Sequence, residues 1–234
     1  MKRLFSLMTG ILALFIIVGC TSNEKKAEKL IDEYMYKHLH DYKSYEAVET
    51  IIDTLYNIPI TDDACIQAAA RMAMHSEQSD EYEEEADDAL RSMEIWDGGW
   101  SATSRKEWNK AARKYSEAKM NQFIENQEVL KNAKIIVEKL PELDGKTQVG
   151  WLVKHSYRCN NRGGNSMLGT DVFFMDKKFK TILNSFDNED EDAVAILTQI
   201  NEASEFENTS QIDSLITRYD GMLAKLKSTL ESIQ

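Results

Sequence analysis

The placement of helix-breaking residues constrains the fold of this chain more than any other feature. The sequence has two prolines in 234 residues, Pro59 and Pro141, and the long stretch between them contains glycine only at Gly98 and Gly99. Proline and glycine are the residues that helix interiors tolerate least. The spacing therefore predicts a helical hairpin over residues 61–140, with a turn near its middle.

Capping residues predict where the two arms of this hairpin begin. Thr61 is suited to cap the first arm, since Asp62 and Asp63 would complement the helix dipole in its first turn. Ser104 and Glu107 have the spacing of a capping box, which predicts that the second arm opens there. We expect the arms to end near residue 96 and residue 140.

After residue 148 the hydrophobic period changes from that of a helix to that of a strand. Residues 148–158 alternate, with His155 among apolar side chains, and residues 168–175 read as a second strand. Residues 179–183 can pair as a third. The turns between them fall at residues 160–165 and 176–178. Residues 44–56 suit either a helix or a strand, and this alternative stays open.

Helices are predicted at both ends of the chain, at residues 27–39, 187–203 and 209–233. The last has an uninterrupted seam with steps of four and three, about three heptads long. This seam can pack on the protein's own helices or on a second chain, and its short length favours the former. Its members are Ile212, Ile216, Tyr219, Leu223, Leu226, Leu230 and Ile233. The fold class is thus α+β and helix-dominated: a long helical hairpin, a small antiparallel β-meander and C-terminal helices.

The first 20 residues have the features of an export segment. Lys2 and Arg3 precede a mainly apolar stretch that is too short for a permanent membrane-spanning helix. The stretch ends in Ile17-Val18-Gly19-Cys20, which resembles the lipobox of bacterial lipoproteins. That resemblance implies a signal peptide over residues 1–19, acylation of Cys20 with palmitate-type chains, and anchoring in a membrane. Residues 20–26 would form a tether before one domain, 27–234, that contains the hairpin 61–140 as an insert.

Two further segments resemble uncharacterised small lipoproteins of Gram-negative anaerobic bacteria. One is DYKSYEAVE at residues 41–49, and the other is the Arg-Cys-Asn-Asn-Arg-Gly-Gly turn at residues 158–164. The likeness extends over residues 20–56 and 151–186, and it implies that residues 44–56 begin as a strand. It implies no activity. Thr21 is not the aspartate associated with inner-membrane retention, so analogy favours the outer membrane.

The charge balance restricts the partners that this chain can bind. The formal net charge is −12, and cleavage after residue 19 would make the chain more acidic still. Nucleic-acid binding needs a basic footprint to displace counterions, so we exclude that class. For the same reason, adhesion to a membrane would depend on the lipid anchor.

Two cysteines remain once Cys20 is acylated. Cys65 and Cys159 can form a disulfide in an exported protein. The alternative, which we favour, is two small buried side chains that never meet.

Candidate chemistry is weak throughout the sequence. His38 and His40 would point to opposite sides of a helix, and His75 and His155 are remote, so we predict no metal and no cofactor. The acidic segments 81–88 and 187–192 read as solvated or dipole-stabilised helix surface. Residues 158–165 contain arginines and glycines that suit an anion, but a hairpin turn accounts for them better.

The aromatic pair Trp96 and Trp100 is the feature most suggestive of function. Both flank the predicted hairpin turn, where they can stack on a sugar ring or anchor a protein partner. Alternatively, both fold back onto the helix ends beside Trp108. We therefore expect a non-enzymatic binding or scaffold protein; the alternative is an enzyme that acts on glycan through paired carboxylates. A binder predicts an exposed aromatic patch, and an enzyme predicts a concave pocket that holds two carboxylates with perturbed pKa values.

Overall fold

The computed structural model describes residues 21–187 and 191–232. The elements, in chain order, are α1 (Thr21–His38), β1 (Glu46–Tyr56), α2 (Asp63–Trp96), α3 (Ala102–Lys139), β2 (Gln148–Asn160), β3 (Ser166–Asp176), β4 (Ile182–Asp187), α4 (Glu191–Ser204) and α5 (Thr209–Ser232). Short 3-10 turns lie at Tyr42–Ser44, Pro59–Thr61 and Leu140–Glu142. This architecture confirms the helix-dominated α+β class with a hairpin, a meander and C-terminal helices.

The four strands form one antiparallel sheet in the order β1-β2-β3-β4. In the β2–β3 hairpin, Gly150 lies opposite Asp176 and Asn160 lies opposite Ser166. The open alternative for residues 44–56 is resolved as a strand, since Val48, Thr50, Ile51 and Ile52 suit a pleated, half-buried surface.

The described chain forms two compact units. The sheet unit contains α1, most of β1 and the other three strands, and its core comprises Ile31, Met35, Val153, Phe173 and Met175 among others. The helical unit contains α2 to α5 without the strands, and its core includes Cys65, Met72, Ile136, Ile200 and Ile212. The sequence interpretation of residues 27–234 as one domain stays a prediction.

The base of the helical unit is closed by backbone hydrogen bonds. The N–H of Asn57 donates to the carbonyl oxygen of Thr147 at 2.9 Å, and the N–H of Gly145 donates to that of Asn57 at 3.0 Å. From this base the two arms α2 and α3 extend to the turn at residues 97–101. The predicted hairpin is therefore confirmed, with its two prolines in the 3-10 turns beside it.

Four local predictions about helix starts are wrong. The helix predicted from residue 187 does not start there, since Asp187 ends β4 and α4 is described from Glu191. Asp62, not Thr61, caps α2, and its carboxylate accepts from the N–H of Cys65 at 3.0 Å. Ser101, not Ser104, caps α3. Residues 21–26, predicted as part of a tether, belong to α1 because Glu24, two lysines and the absence of glycine or proline favour helix.

The last strand also differs from its prediction. Asp176 accepts backbone N–H bonds from Lys178, Lys180 and Thr181, and this builds a turn that continues to residue 181. Phe179 takes a positive φ of 53° in that turn, and its ring stacks on Trp151 at 5.4 Å between centroids. The strand consequently starts at Ile182 and not at residue 179.

The seam of α5 is used inside the helical unit over its first half. Ile212 is buried in the core, and Ile216 and Tyr219 pack against it. Gln127 on α3 donates to Asp220 at 2.8 Å, and Lys134 donates to Asp213 at 2.7 Å. Residues 223, 226 and 230 of the seam are half-buried, and position 233 lies outside the described residues.

None of the described helices combines enough length and apolar character to cross a membrane.

Candidate functional site

The tip of the helical hairpin is a tight turn in which hydrogen bonds close the end of α2 and cap the start of α3. The N–H of Gly99 lies 3.4 Å from the carbonyl oxygen of Trp96, the last residue of α2. Gly98 has φ of 72°, a region that favours glycine, and a Cβ on Gly99 would lie 2.4 Å from the Cβ of Ser104. The hydroxyl of Ser101 accepts from the N–H of Ser104 at 2.9 Å. The turn therefore holds the backbone of its residues in a defined geometry.

Trp100 stands immediately before the N-cap of α3, and its side chain is 98% exposed. An apolar residue at this position often packs against the fourth residue of the helix. That residue here is Arg105, which is itself exposed, so no such contact holds the indole. Ile95 is 75% exposed and Trp96 is 38% exposed. Ile95, Trp96 and Trp100 form what we call the tip patch.

The structure thus places the two predicted aromatic residues at the tip. Trp96 is partly covered and Trp108 is half-buried, whereas Trp100 lies in solvent. The alternative in which both indoles fold back onto the helix ends does not describe Trp100. Exposed large apolar side chains grouped at one place are a mark of interaction sites.

Behind the tip, small residues hold the two arms together. Buried positions include Ala86 and Ala89 on α2 and Ala111, Ala112 and Ala118 on α3. Nearer the base the contact becomes polar: Ser79 donates to Asn126 at 3.0 Å, and His75 lies 2.6 Å from Glu125. Asn126 interrupts the apolar periodicity of α3 in the sequence, and this bond to Ser79 accounts for it.

A second group of polar side chains lies in the core of the sheet unit, centred on His155. This histidine is 1% exposed; its Nε2 lies 2.8 Å from the hydroxyl of Tyr45, and its Nδ1 lies 2.9 Å from that of Thr50. Burial lowers the pKa of His155, which favours the neutral ring. Each ring nitrogen has a hydroxyl partner. His155 on β2 is thereby linked to Thr50 on β1 and to Tyr45, the residue immediately before β1.

One carboxylate lies opposite this histidine, and a second lies one strand further away. Asp171 on β3 is opposite His155 on one side and opposite Asp187 on the other. Burial, and next the nearby charge of Asp187, raise the pKa of Asp171 to about 6. The hydroxyl of Tyr157 lies 3.4 Å from Asp171. Gly169 leaves room for the Tyr157 ring, since a Cβ there would lie 2.7 Å from the ring.

A carboxyl with a raised pKa beside a second carboxylate is one of the two features that an enzyme would need, because such a pair can divide the roles of acid and base. The depression in the helical unit holds no carboxylate, because it is lined by Phe206, Asn208, Ser210, Gln211, Ser214 and Leu215. The acid pair and this concave surface therefore do not coincide.

Two of the remaining histidines, His38 and His75, serve separate contacts. His38 stacks on Tyr34 at 3.8 Å between centroids and bonds to its carbonyl oxygen, and His75 bonds to Glu125. Within residues 21–187 and 191–232, no group of three or more His, Cys, Asp or Glu side chains has a geometry that would hold a metal ion.

Both described cysteines are free thiols. Cys65 lies in the core of the helical unit, and burial together with nearby Asp62 raises its pKa to about 12. Cys159 packs against the core of the sheet unit, and burial raises its pKa as well. The disulfide considered from the sequence is not formed in this structure. Cys20, the predicted acylation site, lies outside the described residues.

The other sequence candidates have structural roles. The acidic residues of segment 81–88 are solvent-exposed on α2. Segment 187–192 is described at Asp187, which ends β4, and at the first turn of α4. The Arg-Gly-Gly segment is the β2–β3 turn, in which the side chain of Asn161 accepts the N–H groups of Gly163 and Asn165.

Sequence reasoning missed the group around His155. The alternation of β2 placed His155 among apolar residues, but its partners Tyr45 and Thr50 lie more than a hundred positions earlier in the chain. Comparisons of the sequence with protein families, with curated proteins and with solved structures find no match.

Proposed function

We propose that this protein is a non-enzymatic binding or scaffold module of the bacterial cell envelope, and that the tip patch is its contact surface. The observation that carries the proposal is the 98% exposure of Trp100 at a turn whose backbone is fixed by caps and glycines. An indole in water at a defined position is available for a partner at little cost in conformational entropy.

The expected energy of such a contact is large for one side chain. Tryptophan is among the residues whose truncation at an interface costs about 2 kcal/mol or more, roughly a 30-fold change in affinity. The backbone on either side needs no rearrangement, because Gly99 and Ser101 already fix the turn. A protein partner is the class that the patch favours, since Ile95 adds an aliphatic side chain that stacking on sugar does not use.

Attachment to the envelope is part of the proposal and rests on the sequence pattern that ends at Cys20. We propose that acylation of this cysteine anchors the chain, with the outer membrane as the destination. Intact mass spectrometry of the envelope-extracted protein should show the acyl chains and a new N-terminus at Cys20. The Cys20→Ser variant should keep its signal segment and carry no acyl chains; unmodified wild-type protein would contradict the anchor.

The photo-crosslinking amino acid p-benzoylphenylalanine at position 100 keeps a large aromatic side chain there and tests the contact surface. In cells, we expect it to form a discrete adduct with a protein. The same amino acid at Lys29, an exposed position on α1, is the matched control and should not form that adduct. Adding Ile95→Ser should weaken the adduct from position 100. The absence of any adduct from position 100, or the same adducts from both positions, would contradict the proposal.

The alternative function, glycan hydrolysis, is favoured by one observation, the raised pKa of Asp171 beside Asp187. In this alternative Asp171 would donate the proton and Asp187 would act as the second carboxylate. Purified protein should then release reducing ends from a peptidoglycan or polysaccharide panel, and Asp171→Asn and Asp187→Asn should each abolish the release. No release by the wild-type protein would remove this alternative and leave the binding proposal intact.

A further inference from the structure

The two arms of the hairpin carry opposite charges over their distal half, residues 75–125. On α2 the exposed side chains of this half are mainly acidic, and they include Glu81, Glu83, Glu84, Glu85, Asp87 and Asp88. On α3 the exposed side chains are mainly basic, namely Arg105, Lys106, Lys110, Arg113 and Lys114. One described contact joins the arms, His75 with Glu125 at the proximal limit of this half, and Arg91 pairs with Asp88 within α2. The two charged surfaces are thus left facing solvent.

This pattern is self-complementary under one particular symmetry. A two-fold axis parallel to the hairpin stacks two hairpins with their tips at the same end, and it places α2 of each copy over α3 of the other. Every neighbouring pair of helices in the resulting four-helix arrangement is then antiparallel and opposite in charge. A two-fold axis across the hairpin would instead stack α2 on α2, acid on acid.

The same symmetry brings the two apolar tips together. Ile95, Trp96 and Trp100 of one copy would lie beside the same residues of the other, as in any isologous interface. We propose that the partner of the tip patch is a second copy of this chain, paired in parallel through the distal half of the hairpin. The inference rests on the proposed function, in which the tip patch is a contact surface.

The available surface is sufficient for a specific dimer. Each distal arm has about 22 residues, so the face is roughly 33 Å long and, with two helices of about 10 Å, roughly 20 Å wide. That is roughly 700 Å² per copy, close to the ~800 Å² per partner of an ordinary specific interface. Exposed Leu90 and Ile95 extend the apolar contact back from the turn.

Net charge does not prevent this pairing. The chain carries −12 in total, but the Debye length at physiological ionic strength is about 8 Å, so charges far from the interface are screened. Opposite charges within the interface are closer than this and steer the two copies into register.

Charge reversal in each arm tests the inference. The first variant is Glu81→Lys, Glu84→Lys and Glu85→Lys, which makes both arms basic. The second is Lys106→Glu, Lys110→Glu and Arg113→Glu, which makes both arms acidic. Full-length copies with two different tags are co-expressed in pairs, extracted in detergent and captured through one tag. Glu46→Lys, Glu49→Lys and Asp53→Lys, exposed on β1, match the first variant in charge and serve as its control.

We expect wild type to recover wild type, and each variant to recover itself at least tenfold less. The mixed pair of the first and second variants should recover each other at the wild-type level, which a variant that had failed to fold would not do. Undiminished self-recovery of either variant, or no recovery in the mixed pair, overturns the inference.

The crosslink at position 100 separates this inference from the proposed function. An adduct of twice the chain mass supports both. An adduct with a different protein, without self-recovery, overturns the inference and supports the proposed function. If position 100 forms an adduct neither with a second copy nor with a different protein, the inference and the proposed function are both overturned.

Discussion

The two compact units of this protein bury different kinds of polar group. The sheet unit buries ionisable side chains: His155, Tyr157 and Asp171 lie within or beside the core, joined by hydrogen bonds to neighbouring strands. The helical unit buries apolar and small side chains together with neutral amides such as Gln127 and Asn132, and leaves most of its charges and an indole in solvent. A buried, satisfied polar group specifies a structure, whereas an exposed indole costs solubility unless it meets a partner. The difference directs the search for function to the helical unit.

Within the helical unit, the base and the distal half of the hairpin differ in the size of the side chains that they bury. The base is packed with large side chains such as Met72, Leu130 and Ile136 and is covered by α4 and α5. The distal half is packed mainly through alanine. We expect the base to supply most of the stability and the distal half to open locally first, since it has less apolar area to lose.

The largest effect is expected from truncation in the base. Ile136 is 0% exposed, so Ile136→Ala should lower the free energy of unfolding by about 2–5 kcal/mol. Ile136→Val keeps most of the volume and should cost about 0.5–1.5 kcal/mol. Urea denaturation followed by circular dichroism measures both. A loss for Ile136→Ala below that of Ile136→Val would contradict the assignment of the core.

An intermediate effect is expected where the arms meet through small residues. Ala112 is 3% exposed, and Ala112→Leu should overfill the contact and cost about 1–3 kcal/mol. Hydrogen exchange should show faster exchange in residues 79–120 and unchanged exchange around Ile136. Ala102→Leu, at an exposed position in the same helix, is the control and should leave exchange unchanged.

A pH-dependent effect is expected in the sheet unit. The folded pKa of Asp171 is about 6 against an ordinary value of 3.8, so the folded state binds this proton more tightly than the unfolded state does. The contribution to stability is therefore present below pH 4 and is lost as the pH rises through about 6. Asp171→Asn should remove that dependence, so the variant should be the more stable protein at pH 8 and lose this advantage by pH 4.5.

Melting temperatures of both proteins across this range measure the effect of Asp171. His155 has a lowered pKa, so its contribution is present above its unfolded pKa of about 6.5 and is lost as the pH falls. It is common to both proteins and cancels in their difference. A difference between the two that stays constant from pH 4.5 to 8 would show that Asp171 ionises normally.

The smallest effect on stability is expected at the tip. Trp100→Ser removes a side chain that is 98% exposed and should change the free energy of unfolding by less than about 0.5 kcal/mol. The same change should abolish most of the association attributed to the tip patch. Trp151→Ser is the contrasting variant, because that indole stacks on Phe179 and donates to the carbonyl oxygen of Lys177; it should lose stability and keep the association.

The hairpin could be predicted from the sequence because its boundaries depend on local residues. Pro59, Gly98-Gly99 and Pro141 act within a few positions of themselves, and so does the alternation of β2. The choice of Asp62 over Thr61 as cap could not be predicted, since both residues suit the role and the preceding 3-10 turn decides between them. The start of β4 depends on the turn that Asp176 builds, which has no helical or strand period.

The candidate site could likewise be predicted from the sequence only in part. The position of Trp96 and Trp100 beside the turn follows from sequence, but the exposure of Trp100 depends on Arg105 standing where an apolar residue would have covered it. The surroundings of Asp171 depend on the pairing register of β2, β3 and β4, which brings His155 and Asp187 to its two sides. No local pattern marks a residue whose neighbours lie on other strands.

Hydroxyl-radical footprinting measures directly whether a partner covers the tip patch. The purified chain, diluted in detergent, is compared with the same chain in intact envelopes, and Tyr36, which is 69% exposed in the sheet unit, is the internal control. We predict that Trp100 is oxidised readily in the diluted chain and is protected severalfold in the envelope, while Tyr36 changes little. Equal oxidation of Trp100 in both preparations would show that no partner covers the tip patch, and would contradict its proposed function as a contact surface.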